Sequence, residues 1–166
     1  MTDSQNNSTT NGPIDKLPSF KPGMIAPNFT LFDENGNEFN LHSNLTKSGE
    51  YILLVFYPGD DTPGCTTQLC GIRDLQKEYT NKNIRVIGIN HGDSKSHIKF
   101  INKYTFQFPI LIDTGREISS LYGQIKFMFG HKSIKRGVYL LGKGGEILYK
   151  KHGQQDNSEI LGLDLD

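Results

Sequence analysis

Long apolar runs are missing from this sequence: nothing approaches the ~20 consecutive apolar residues needed to cross a bilayer. The first residues, Met1 to Asn11, are rich in Ser, Thr, Asn and Gln, without the basic and apolar stretches of a secretory leader. Neither sign of charge is in excess, with 18 Lys and Arg against 18 Asp and Glu. That balance argues against a nucleic-acid binder, which normally carries a basic excess or stripe. Cysteine is scarce, with only Cys65 and Cys70. A secreted disulfide scaffold would carry more, at wider spacing. These absences lead us to expect a soluble, cytoplasmic protein whose two close cysteines do redox or metal chemistry.

What is present fits one compact domain of 166 residues, about a third of them apolar. Residues 1–20 are polar, with Pro13 and Pro18, and are expected to be a disordered tail before a single domain over 21–166. Phe29 to Phe32 and Glu38 to Leu41 flank Asp33-Glu-Asn-Gly-Asn37, where Asn-Gly signals a hairpin turn. The turn superficially resembles a calcium loop, but Glu38 stands at the required glycine and Asn44 at the closing glutamate. Tyr51 to Tyr57 is an unbroken apolar run rich in aromatic and aliphatic residues, as expected of a strand buried on both faces.

A helix is expected from Pro63 to about Thr80, with Leu69, Ile72, Leu75 and Tyr79 inward. Ile84 to Ile89 reads as a second buried strand, and Phe108 to Ile112 as a third. Between them Ser94 to Tyr104 reads as a helix capped by Asp93, with Ile98, Ile101 and Tyr104 inward. Arg116 to Tyr122 is a short helix stopped by Gly123, and Gly137 to Leu141 with Glu146 to Tyr149 forms a second hairpin. Strands alternating with helices and closing on a hairpin predict an α/β, thioredoxin-like fold: a mixed central sheet, helices on both faces and an N-terminal β-hairpin. Chemistry in such sheets sits beyond the carboxyl ends of the strands, which places residues 58 to 65 there.

That segment reads Tyr57-Pro-Gly-Asp-Asp-Thr-Pro-Gly-Cys65. Thr62 suits a helix N-cap and Pro63 the first helical residue. Cys65 then falls in the first turn, where free N–H groups and the positive end of the helix dipole favour a thiolate. Thiols, ordinarily near pKa 8.5, are commonly lowered in such settings, and the thiolate is the nucleophile. A thiolate attacking an O–O bond needs donors aimed at both oxygens. Backbone N–H groups, the Thr62 hydroxyl and a guanidinium could supply them, with Pro58 shielding the pocket. Only Arg73, Arg85, Arg116 and Arg136 exist. Arg136 opens the strand that this topology brings beside the helix start, and a guanidinium holds geometry better than an ammonium.

Pro58-x3-Thr62-x2-Cys65 resembles the signature of the peroxiredoxins. Phe56-Tyr57-Pro58, Thr62-Pro-Gly-Cys65-Thr66, Cys70 and Arg73-Asp74 resemble its bacterioferritin-comigratory, or Q-type, subfamily. Gly23-x2-Ala26-Pro27, Phe108-Pro109-Ile-Leu-Ile-Asp113, Tyr122-Gly123 and Arg136-Gly-Val-Tyr-Leu-Leu141 follow in the family's order, over about residues 21 to 151. The resemblance implies a thiol-dependent peroxidase acting on hydrogen peroxide or alkyl hydroperoxides. Cys65 would become a sulfenic acid, Cys70 would resolve it as an intramolecular disulfide, and thioredoxin or a similar dithiol would reduce that bond. Thr62 and Arg136 would contact peroxide and thiolate, and Pro58 would shield them. No cofactor, metal, nucleic acid or membrane is implied, and a monomer is expected because both cysteines share one helix.

In an intact helix, positions five apart lie roughly 8–9 Å apart at Cα, beyond the ~7 Å reach of a disulfide. The helix start must therefore unwind, and Gly71 is expected to ease this. Three departures from the family pattern stand out: Gly142 replaces a frequent aspartate, Asn90-His91 replaces a small hydroxyl residue, and only Ser158 to Leu163 remain for a last helix. The first two are expected to lie away from the chemistry. The third leaves one sheet face less covered, or covered by a partner.

Other readings stay open on the residues alone. Cys70 could be an inert core thiol, leaving a one-cysteine peroxidase. The pair could deliver copper, although four residues separate them where such modules usually have three. A general disulfide exchanger would normally show Cys-x-x-Cys. His42, His91, His97, His131 and His152 have no ligand spacing and read as solvent or packing residues, and Asp60 and Asp61 as a polar loop tip.

Overall fold

The computed structural model describes residues 19–165, so the expected tail falls almost wholly outside the described residues. The first hairpin pairs β1 (Thr30–Phe32) with β2 (Glu38–Asn40). Its turn is held by Asp33, whose carboxylate accepts from the N–H groups of Asn35 and Asn37. A helix that the sequence pattern does not announce follows: α1 (Leu41–Ser48), capped by the Asn40 side chain and ended by Gly49 at φ 64°.

β3 (Tyr51–Phe56) is buried along its whole length. Ile52, Leu54 and Phe56 belong to one core, and Tyr51, Leu53, Val55 and Tyr57 to the other, which is why the run is apolar without alternation. β4 (Ile84–Asn90) and β5 (Ile110–Ile112) extend the sheet in parallel, β4 against β3 and β5 against β4. On the other side β8 (Gly137–Leu141) runs antiparallel to β3 and is followed by β9 (Ile147–His152). The seven strands take the order β2-β1-β5-β4-β3-β8-β9. This is the mixed, thioredoxin-like sheet that the element order predicts.

Helices cover both faces. Leu41 and Leu45 of α1 and Ile118 of α5 (Glu117–Leu121) pack on one. The other carries α2 (Pro63–Asp74), α3 (Gln76–Asn81), α4 (Ser94–Tyr104) and α6 (Asn157–Leu161), through Leu69, Ile72, Tyr79, Phe100 and Ile160.

Three expectations are corrected. The single helix from Pro63 to Thr80 is two, because Leu75 leaves helical geometry at φ −111°, ψ 18° and its N–H closes a tighter turn on the Ile72 carbonyl. The second piece buries Tyr79, whose hydroxyl donates to Asn157. In α4 Ile101 and Tyr104 pack against the core as expected, but the fully buried residues are His97 and Phe100, and Ile98 is 37 % exposed. The helix turns to bring His97 to an aspartate of the loop after β3. The segment after Gly123, unassigned by pattern, forms a second two-stranded sheet, β6 (Ile125–Met128) with β7 (His131–Ile134). The last helix is short, as expected, yet Leu161, Leu163 and Leu165 pack behind it against the same core, so that face has cover from this chain.

Candidate active site

The site begins where β3 ends. Tyr57 is fully buried, and its carbonyl accepts from the Asn90 amide, 2.8 Å away, at the end of β4. Asn90 in turn accepts from the Gly92 N–H. Asn90 thus touches none of the reactive groups, but it fixes the backbone immediately before Pro58.

The loop that follows is pinned through two aspartates. Asp60 is the acceptor for three donors: the Tyr57 hydroxyl at 2.6 Å, the Ser96 hydroxyl at 2.6 Å and His97 Nδ1 at 2.6 Å. Burial pushes the Asp60 carboxyl up, but hydrogen bonds from His97, Ser96 and Tyr57 outweigh it and hold the group below the ordinary carboxylate range. Ionised, Asp60 can only accept, so Nδ1 of His97 carries the proton. Burial, with the Asp60 charge adding to it, keeps the Tyr57 phenol well above its ordinary range and hence neutral. Asp61 is exposed and meets Lys103 and the Tyr104 hydroxyl, each at 2.8 Å. The polar-tip reading therefore holds for Asp61 and fails for Asp60. Of the two expected readings of His97, solvent or packing residue, the second holds: it is buried and braces Asp60.

Thr62 occupies the N-cap at φ −88°, ψ 150°, with Pro63 as first helical residue. The first helical bond runs from Thr66 N–H to the Thr62 carbonyl, at 2.8 Å. Gly64 and Cys65 precede it, so their N–H groups have no carbonyl partner within the helix. The Thr62 hydroxyl donates to the Gly59 carbonyl at 3.1 Å rather than capping the helix. Its oxygen lone pairs remain able to accept a proton donor.

Cys65 is fully buried at this helix start. Arg136 reaches it because β8 pairs with β3 so that Gly137 sits opposite Phe56. Nη2 of Arg136 lies 3.4 Å from Cys65 Sγ, and Nη1 donates to Gln68 Oε1 at 2.6 Å. Gln68 is anchored on its other side by Gln155, whose amide donates to the Gln68 carbonyl at 3.0 Å. A Cβ at position 64 would stand 2.9 Å from Arg136 Nη2, so a larger residue there would push the guanidinium from its place. Neither Gln68 nor Gln155 stands out in the sequence, although Gln68 follows Cys65 by three residues and so shares its helix face.

Arg136 thus meets Cys65 in the first turn of the helix that Thr62 begins, and Pro58, half-buried, stands in the loop that leads to it. Cys70 lies one helical turn and more beyond, half-buried, and both cysteines are free thiols on an unbroken helix. Burial raises the Cys70 thiol, against the opposing pull of Arg73, so it stays protonated at neutral pH. Among the described residues no three His, Cys, Asp or Glu side chains gather as a metal ligand set.

A mixed sheet of this order, with a cysteine at the start of the helix that follows β3 and a guanidinium against its sulfur, defines a thioredoxin-fold protein with a reactive-cysteine site. The chain belongs to the AhpC/TSA family, which it matches over residues 22–150. It is 36% identical over 143 residues to "Peroxiredoxin Q, chloroplastic" of Triticum aestivum, covering 86% of this chain and 64% of that protein. It is 35% identical over 133 residues to "Putative peroxiredoxin bcp" of Coxiella burnetii, covering 78% of this chain and 86% of that one. Among solved structures, the fold is similar to that of the peroxidoxin BcpB from Mycobacterium tuberculosis, with TM-score 0.73, 27% identity, and coverage of 80% and 86% of the two chains. It is also similar to a cysteine-to-serine mutant of PrxQ from Xylella fastidiosa, with TM-score 0.76, 25% identity, and coverage of 86% and 93%. The chain spans just under two thirds of the length of the wheat relative.

Proposed function

We propose that the chain is a thiol peroxidase that reduces hydrogen peroxide and organic hydroperoxides. The observation that carries this reading is the Arg136 guanidinium 3.4 Å from a sulfur seated at a helix start. Both features place positive potential where a thiolate and then a departing oxygen need it. The Cys65 thiolate attacks one peroxide oxygen, the O–O bond breaks, and the alkoxide or hydroxide leaves and is protonated. Cys65 becomes a sulfenic acid. The Cys70 thiol condenses with it, forming the disulfide and releasing water. Two electrons from thioredoxin or a similar dithiol restore both thiols.

A cation against the sulfur also weighs against copper delivery, since it would repel a metal ion at the same atom. We read the protein as a monomer, because its two cysteines share a helix and need no second subunit. We place it in the cytoplasm, where such thiols stay reduced. Light scattering and cell fractionation check these two points.

The central test is stopped-flow reduction of hydrogen peroxide and an alkyl hydroperoxide by wild type, Cys65→Ser and Cys70→Ser, with mass spectrometry of the products. Cys65→Ser is expected to show no turnover, and Cys70→Ser to stop at the sulfenic acid. Normal peroxidase activity in Cys65→Ser removes the proposal. Unimpaired thioredoxin-driven cycling in Cys70→Ser leaves a one-cysteine peroxidase instead.

A further inference from the structure

The β6–β7 hairpin ends in an apolar tip with no cover from the described residues. Phe127 is 67%, Met128 55% and Phe129 95% exposed. Exposed apolar groups are ordinary when scattered, but three consecutive large ones mark an interaction site. The turn itself is informative. Phe129 and Gly130 both take positive φ, 51° and 76°. A turn of that hand normally takes asparagine or glycine at its first central position. A phenylalanine there is strained, and strain of this kind is retained where it serves a site. Here it holds a phenyl ring out into solvent.

The stem of the hairpin is basic. Lys126 faces Ser133 across the ladder, Lys132 faces Phe127, and Lys135 follows β7. No aspartate or glutamate occurs between Glu117 and Glu146, although the whole chain carries equal numbers of acids and bases. A convex apolar tip on a cationic stem is the arrangement that enters the boundary between headgroups and acyl chains of an anionic lipid surface.

We propose that this hairpin is a lipid-docking wedge. Phe127, Met128 and Phe129 insert into a membrane surface bearing anionic phospholipids, and Lys126, Lys132 and Lys135 engage the headgroups. A second copy of the chain suits the tip less well: a two-fold contact through it would set these lysines against one another. The stem leads through Lys135 into Arg136, so the tip lies within about 25 Å of the backbone whose guanidinium touches the reactive sulfur. Docking would then present acyl-chain hydroperoxides to Cys65. That last step rests on the peroxidase reading, whereas the docking does not.

The test is co-sedimentation of the full chain with vesicles of phosphatidylcholine alone or with phosphatidylserine added, at low and high salt. The Phe127→Ser, Phe129→Ser double variant and the Lys126→Gln, Lys132→Gln double variant are compared, after circular dichroism shows them folded. Wild type is expected to bind the serine-containing vesicles, less so at high salt. The phenylalanine variant is expected to bind at least about tenfold more weakly. Absence of binding, equal binding to neutral vesicles, or binding unchanged in the phenylalanine variant overturns the proposal. So does light scattering that shows a dimer dissolved by the phenylalanine changes with no vesicle binding in wild type. Turnover of a phospholipid hydroperoxide in the vesicles should fall in the phenylalanine variant while turnover of hydrogen peroxide in solution does not. Vesicle binding without any peroxide turnover in wild type would defeat the peroxidase reading and leave the docking intact.

Discussion

Asp60 shows how much of the site depends on a residue that touches no reactant. It stands two residues after Pro58 and two before Thr62, and its carboxylate collects Tyr57, Ser96 and His97. Releasing it would free the loop that carries both Pro58 and Thr62. The pH dependence follows from the direction of its shift. Its folded-state pKa lies below the unfolded one, near 3.9, so its contribution is present above about pH 4 and is lost as pH falls through the lowered value. Asp60→Asn should cost about 1–3 kcal/mol at neutral pH, and the gap to wild type should narrow on acidification below pH ~4. Urea unfolding across that range measures it, and a gap that widens instead would contradict the charge-based account. Cys65, Thr62 and Pro58 were legible because their chemistry is written in local spacing. Asp60, Asn90, His97 and Gln68 were not, since each acts through a partner that only the fold brings near or through a contact with Arg136.

Elements were legible to the extent that their ends are set by local chemistry. Thr62-Pro63 starts α2 where expected, and Asp93 caps α4 by accepting from Ser96 N–H. The Leu75 break carries no proline or glycine, so nothing in the local sequence marks it. α1 escapes the pattern because it is short and only weakly apolar, and β6–β7 because Phe129-Gly130 is not a recognisable hairpin turn. Gly71 gives the clearest prediction at this scale. A Cβ there would meet nothing closer than 3.7 Å, so alanine fits without strain. It should stabilise the helical form by up to about 1 kcal/mol. Since Cys65 and Cys70 can meet only when that helix opens, disulfide formation after peroxide addition should slow by up to about fivefold. Quenched-flow alkylation and mass spectrometry follow this directly, and an unchanged rate would free Gly71 of any role in opening.

The whole molecule brings the two reactive parts together through sheet register: with Gly137 opposite Phe56, the cation arrives at the sulfur from a strand distant in sequence. The thioredoxin-like arrangement was legible from the order of strands and helices, whereas that register was not, because a one-residue slip leaves the apolar pattern of β3 equally apolar. The same architecture couples oxidation to stability. Thr66 to Leu69 lie between the two cysteines, so closing the disulfide withdraws Leu69 from the core and breaks the Gln68 contacts with Arg136 and Gln155. A bond closing so short a loop contributes about 2 kcal/mol through the unfolded chain. Exposing a buried leucine costs about 1.5–3 kcal/mol, and each lost hydrogen bond about 1 kcal/mol more. The balance therefore favours the reduced form by about 1–3 kcal/mol. The oxidised protein should melt roughly 2–12 °C below the reduced one, at the ~2–4 °C per kcal/mol of a chain this size. Thermal scans of peroxide-treated protein, before and after dithiothreitol and with the disulfide confirmed by mass, measure the difference. An oxidised form as stable as the reduced one would mean that α2 keeps its packing, and a helix that keeps its packing holds the two sulfurs too far apart to bond.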